Sequence, residues 1–369
     1  MGPRRTTTLT LVLLLLSGCS SGGAAGEAGP SVSGSPPVSP TVSPSVSTPT
    51  VSAPPTLGQR AWLRGLPRGE PPRLGYVLGH TLYESDGTTT HLPRDRGITS
   101  ITALGSGWLA TDDRTFEGTR GVFRVGPDGR RVGADATIAS DPVLGADGST
   151  VYWLTFTPPE SGLSLPALVH RADVATGSVE RFEITAPQHH LPRIAGVIGS
   201  DLYLVDGWEG AITWVTDLVG APRHLPVLGM AVAVSGRAGL LAGATGGSDR
   251  RAGTVVDTAT GDVLWRERGV RPILFSPSGR QLLAEVGRVV AVVDSRTGRV
   301  ERRLGDPREG SRSSLGDHAW EDERHLLVGA RHGDRMAVLR VDVRSGRWER
   351  VVDWSPAGGT FEVTFETRG

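Results

Sequence analysis

An all-β fold, a ring of seven four-stranded sheets, is what this sequence predicts, and three observations carry it. A turn recurs in which an Asp closes an apolar run and a Gly follows four positions on. It reads Asp173-Val-Ala-Thr-Gly177, Asp257-Thr-Ala-Thr-Gly261, Asp294-Ser-Arg-Thr-Gly298 and Asp342-Val-Arg-Ser-Gly346, with a looser copy at Asp217-Leu-Val-Gly220. Successive Asp positions lie 44, 40, 37 and 48 residues apart, the length of one sheet in a repeat architecture. Between the turns, short runs rich in Val, Leu and Ile are bounded by Gly, Pro, Ser or Asp, and none keeps a helical period.

At the amino terminus, Arg4 and Arg5 precede an apolar run from Leu9 to Leu16, followed by Leu16-Ser17-Gly18-Cys19. A short basic segment before a short greasy one is the layout of an export signal, too short to stay as a membrane-spanning helix. The motif resembles the bacterial lipobox, which implies cleavage after residue 18 and a diacylglycerol on Cys19. Two acyl chains give durable anchoring, at about 0.8 kcal/mol per buried methylene. Cys19 is the chain's one cysteine, so no internal disulfide can form. Residues 19–56 are almost wholly Ser, Gly, Pro, Thr, Val and Ala with the single charge Glu27. That composition cannot bury enough apolar surface to order itself. A disordered tether reaching on the order of 100 Å is expected at about 3.1 Å per residue. The division is therefore signal peptide 1–18, tether 19–56 and ring 57–369.

The 39 basic residues balance 39 acidic ones, and no long run has one sign, so nucleic acid is not an expected partner. All 39 basic residues are arginine, which removes the phosphate-loop lysine, the Schiff-base lysine and the lysine general base. This lysine-free, Arg-, Gly- and Ala-rich composition resembles that of actinobacterial proteins.

Within the ring, the clearest sheet is Val270 to Leu304: Pro272-Ile-Leu-Phe275, Gln281-Leu-Leu-Ala-Glu285, Arg288-Val-Val-Ala-Val-Val293 and a wetter Val300-Glu-Arg-Arg-Leu304. Its turns, Phe275-Ser-Pro-Ser-Gly279 and Asp294 to Gly298, resemble those of WD-repeat and Tol-Pal-type seven-bladed propellers. The Gly-His and Trp-Asp dipeptides of strict WD repeats are missing, so the resemblance implies the propeller and not that family's interaction code. Further quartets are expected at about 98–133, 138–184, 192–227, 229–267 and 316–353. Residues 73–93 hold only three strands. The alternating Thr360-Phe-Glu-Val-Thr-Phe-Glu366 is left over, and is expected to supply the innermost strand of the first blade, leaving no long unpaired edge.

Loops on a rigid scaffold are where function usually sits. The longer, loop-rich face is expected to present His189, His190, Trp208, Glu209, Arg250, Arg251, Arg308, Arg312 and His332 around the channel mouth. Arginines beside an aromatic grip carboxylate, phosphate or sugar groups by paired hydrogen bonds and stacking. No cofactor or metal is expected: His189 and His190 lack a third ligand at zinc spacing. Asp112-Asp113 and Glu321-Asp322-Glu323 lack the pattern of a calcium loop and read as solvated turns. No Gly-x-Ser-x-Gly elbow is present. Trp153, Trp265, Trp320, Trp348 and Trp354 read as core between blades. The expected protein is a monomeric, membrane-anchored, extracytoplasmic propeller that binds a protein, peptide or envelope glycan without catalysis. A propeller-type glycosidase or lyase, with acids and histidines at the loop-rich face, is the alternative.

Overall fold

The computed structural model describes residues 65–93, 97–112, 120–156, 167–184, 192–206, 212–226, 228–245, 252–287, 289–305, 313–356 and 363–367. Three strands of blade 1 come first: β1 (Tyr76–Leu78), β2 (Thr81–Tyr83) and β3 (Thr89–His91). Blade 2 is β4 (Ile98–Leu104), β5 (Gly107–Asp112), β6 (Arg120–Val125) and β7 (Arg131–Ala139). Blade 3 is β8 (Val143–Leu144), β9 (Thr150–Phe156), β10 (Ala167–Asp173) and β11 (Val179–Ile184). Blade 4 is β12 (Arg193–Ile198), β13 (Asp201–Asp206), β14 (Ile212–Thr216) and β15 (Arg223–His224). Blade 5 is β16 (Met230–Ser235), β17 (Leu240–Thr245), β18 (Ala252–Asp257) and β19 (Val263–Arg268). Blade 6 is β20 (Val270–Phe275), β21 (Gln281–Val286), β22 (Val289–Asp294) and β23 (Val300–Gly305). Blade 7 is β24 (Ser313–Trp320), β25 (His325–His332), β26 (Arg335–Asp342) and β27 (Arg347–Pro356), and the last strand is β28 (Thr364–Phe365).

The first blade is ordered β28-β1-β2-β3, so the carboxyl-terminal strand completes it as expected, pairing Tyr76 with Phe365 and Val77 with Thr364. β28 also reaches the next blade. Thr364 Oγ1 donates to Ile98 O at 3.1 Å, and Thr367 N donates to Ile101 O at 3.0 Å. Thr364 and Phe365 of this strand are buried, as is Val363 just before it; Val363 and Phe365 are two residues apart and so on one face; Phe361 lies outside the described residues.

Seven clusters of buried apolar side chains occupy the seven seams between consecutive blades. Strand alternation feeds two seams at once: Leu282 packs between blades 5 and 6, while Leu283 packs between blades 6 and 7. Leu326 and Leu327 divide likewise between the 6–7 and 7–1 seams. Middle strands therefore read as unbroken apolar runs, and each such side chain contributes roughly 1.5–3 kcal/mol on burial. Trp153, Trp320 and Trp348 are buried in these seams. Trp265 and Trp354 pack on them partly buried, with Trp265 Nε1 donating to Ser295 O of the next blade at 2.8 Å.

The recurring Asp is the cap of the last hairpin in a blade. Asp294 accepts from Thr297 N and Oγ1 at 2.8 and 2.7 Å, and Gly298 N returns to Asp294 O at 2.9 Å. The closing glycines have φ of +70° to +78°, the left-handed region that only glycine enters without strain. In the looser copy, Leu218 takes that conformation at φ 69°.

Two features differ from expectation. β7 continues to Ala139 and pairs there with Thr155 of β9, fusing blades 2 and 3 into one eight-stranded sheet; the strand runs on through Gly133 and Asp135, across the expected break between the blades. The second is a strap before β1. Arg68 pairs in parallel with Arg350, Gly69 N donates to Arg350 O at 2.9 Å, and Arg350 N donates to Pro67 O at 2.8 Å. The strap thus covers part of the outer edge of blade 7. Gly69 is required by close approach: a Cβ there would lie within 2.9 Å of the Glu349 side chain.

Candidate binding site

The innermost strands line a central channel, and a cavity of about 520 Å³ sits in it. All seven blades contribute: Thr367, Ala146, Val197, Arg237, Pro277 and Glu321 lie at or just beyond the ends of their innermost strands, and Ser100 lies near the start of β4. The bulk of the wall therefore lies at the tight-turn end, opposite the face expected to bind. Among the described residues, the five innermost strands longer than two residues each carry a β-bulge, at Ile98/Ser100, Ile194/Gly196, Ala231/Ala233, Pro272/Leu274 and Leu315/His318. A bulge sets two residues against one and re-aims the side chains beside it; Thr99, Ala195 and Asp317 sit at these points on the cavity wall.

One wall is a hydroxyl chain. Thr99 and Ser100 hydroxyls lie 2.9 and 2.8 Å from Thr111 Oγ1, which donates to Asp141 at 2.8 Å. Asp112, expected as a solvated turn residue, is fully buried and accepts from Gly121 N at 3.2 Å. In blade 7, His318 borders the cavity, and burial pushes its imidazole down to about 4, which keeps it neutral. Its Nε2 is sealed from solvent and has no hydrogen-bond partner among the described residues.

The acidic turn of blade 7 also departs from expectation. Glu321 has a side chain 1% exposed and binds the Arg340 guanidinium with both oxygens, at 2.6 and 2.7 Å. Arg340 completes its five donors with Glu349 at 2.8 Å and the carbonyls of Glu70 and Pro71 at 3.1 Å each. Glu323 reaches blade 6, accepting from Ser276 Oγ at 3.1 Å, from Ser278 Oγ at 2.7 Å and from Ser278 N. Asp322 accepts from His325 Nδ1 at 2.8 Å; burial works to raise its pKa, and the bonds from His325 and Arg324 outweigh it and hold the carboxyl low. Ligand atoms of Glu321, Asp322 and His325 lie within 4.8 Å of one another, the spacing of a metal site. A cation there would compete with Arg340 for Glu321. These acids have partners because the turn lies against the strap and the neighbouring blade, which local sequence does not register.

Of the expected binding residues, His332 is placed at the loop-rich end of β25, its ring 6.1 Å from Trp354 and at 70° to it. Arg335 Nη2 donates to Trp354 O beside it at 2.7 Å. Cys19, His189, His190, Trp208, Glu209, Arg250, Arg251, Arg308 and Arg312 lie outside the described residues.

No protein-family model matches the chain, nor does any curated protein sequence. Among solved structures, TolB from Acinetobacter baumannii is 14% identical over 83% of this chain and 69% of its own, with a TM-score of 0.43. A structure from a study of two prolyl endopeptidases is 16% identical, with a TM-score of 0.51, over 81% of this chain and 51% of that one. Prolyl oligopeptidase B from Galerina marginata is 11% identical over 71% of this chain and 43% of its own, at 0.46. The chain spans about half the length of the prolyl endopeptidase. At 16% identity the likeness to the prolyl endopeptidase structure speaks to fold alone, and it agrees with the observed propeller.

Proposed function

We propose that the protein is an extracytoplasmic propeller, anchored to the membrane through a diacylglycerol on Cys19, that binds an envelope protein, peptide or glycan and does not transform it. The observation that carries the reading is the channel cavity, to which every blade contributes. Its mixed wall of hydroxyls, apolar side chains and the exposed Arg237 suits contact with a partly polar partner. Of the carboxylates on its wall, Asp317, Glu321 and Glu366, Glu321 is held by Arg340 and by the Arg73 backbone of the strap.

Crosslinking and pull-down from the native envelope tests this, with Arg237→Glu beside the unaltered protein. Capture of one partner, weakened by Arg237→Glu, supports the reading; an identical, non-selective capture by both proteins removes it. Detergent-phase partitioning of Cys19→Ala tests the anchor separately, and unchanged partitioning would overturn it.

A further inference from the structure

We infer that residues 66–74 form a latch, in which docking of the strap on blade 7 governs how firmly the seam between blades 7 and 1 is shut and so shapes the channel mouth beside it. The strap runs through three places in turn. Leu66 packs on the cluster between blades 6 and 7. Pro67 and Gly69 hydrogen-bond to Arg350 on the outer strand β27. Glu70 and Pro71 then give their carbonyls to Arg340, whose side chain is only 8% exposed.

Beyond the clamp the strap meets the closure itself. Arg73 N donates to Glu321 Oε1 at 2.6 Å, Leu74 is buried with Val363 and Phe365 in the 7–1 seam, and Gly75 O accepts from Glu366 N at 2.8 Å. Leu74, Glu321 and Glu366 all border the channel cavity. Lifting the strap would strand two donors of a buried guanidinium and free one side of Glu321, so the loss is felt at the seam and not only at the rim. Coupling of this kind is reciprocal: whatever fills the cavity against Leu74 and Glu321 also tightens the strap. The inference rests on the proposed tether only for what would displace the strap.

The test uses the full chain carrying Cys19→Ala, with Arg68→Cys and Arg350→Cys added. Neighbouring strands lie about 4.8 Å apart, within the Cα span of a disulfide. Amide hydrogen exchange is compared in the oxidised and reduced forms of the same protein. The expected result is a disulfide that forms under mild oxidation and slows exchange in β1 and β28 on the order of tenfold, with β13 and β14 of blade 4 unchanged. Gly69→Val, which presses on Glu349, is expected to quicken exchange in β1 and β28. Failure of the disulfide to form, unchanged exchange in β1 and β28, or an equal slowing in every blade would each overturn the latch. Partitioning results for Cys19→Ala bear on the anchor and leave this readout untouched.

Discussion

Arg340 and Glu321 form a two-bond ion pair with side chains 8% and 1% exposed, at the point where the chain enters the ring. Removing one partner leaves the other charge buried. Arg340→Met is therefore expected to destabilise the fold by about 3–5 kcal/mol, read as a lower urea midpoint. Arg340→Lys should recover little, because an ammonium cannot supply the planar fork that meets Glu321, Glu349 and two carbonyls.

Glu323 joins blade 7 to the first turn of blade 6 through Ser276 and Ser278. Glu323→Ala should cost about 1–3 kcal/mol, the loss of charge-assisted bonds at a partly buried site. A thermal melt gives the comparison: a shift smaller than that of Arg340→Met is expected.

Ending the chain after residue 362 removes β28, and with it the pairing to β1 and the bond to Ile98. The expected product is insoluble or molten, with dye-binding apolar surface and no cooperative melt. A monomeric truncation that unfolds in one sharp transition would count against closure by this strand.

Two histidines set a pH dependence. Burial pushes His318 down to about 4, and burial with Arg181 nearby does the same to His170, from an ordinary value of 6.5. Unfolded chains take up these protons first, so the contribution is whole above pH 6.5 and falls away as pH drops from 6.5 towards 4. Urea midpoints measured across that window should decline, and His318→Phe should flatten part of the decline.

Asp294→Ala deletes the cap on Thr297 in the last turn of blade 6 and should cost about 1 kcal/mol. Gly298→Ala should cost more, because it forces a left-handed residue and brings a Cβ to 2.9 Å from the Trp265 ring. Chemical denaturation of the two variants ranks them.

The blades are legible in the sequence because each needs four short strands and turns with demanding chemistry, and Asp294, Gly298 and Ser276 to Gly279 state that chemistry locally. The missing strand of blade 1 could be found by counting. What escaped depends on contacts across hundreds of residues: nothing around Glu321 announces Arg340, and nothing in Leu66 to Arg73 has the alternation of a strand. Bulges escaped for another reason, since Thr99 or Ile273 looks like any other strand residue until its partner is known. For the candidate site, His332 marks the loop-rich end, while the cavity is built from small residues such as Ala146 and Ala195, whose sequence carries no sign of a shared wall.

The five bulges have an evolutionary consequence. Each resets the in-out alternation of its strand, so the register that fills a seam is not the register that faces the pore. Substitutions at Thr99, Ala195 or Asp317 can then repaint the inner surface while the greasy joints between sheets keep their own pattern. One sturdy wheel can acquire a new taste for ligands without relearning how to fold.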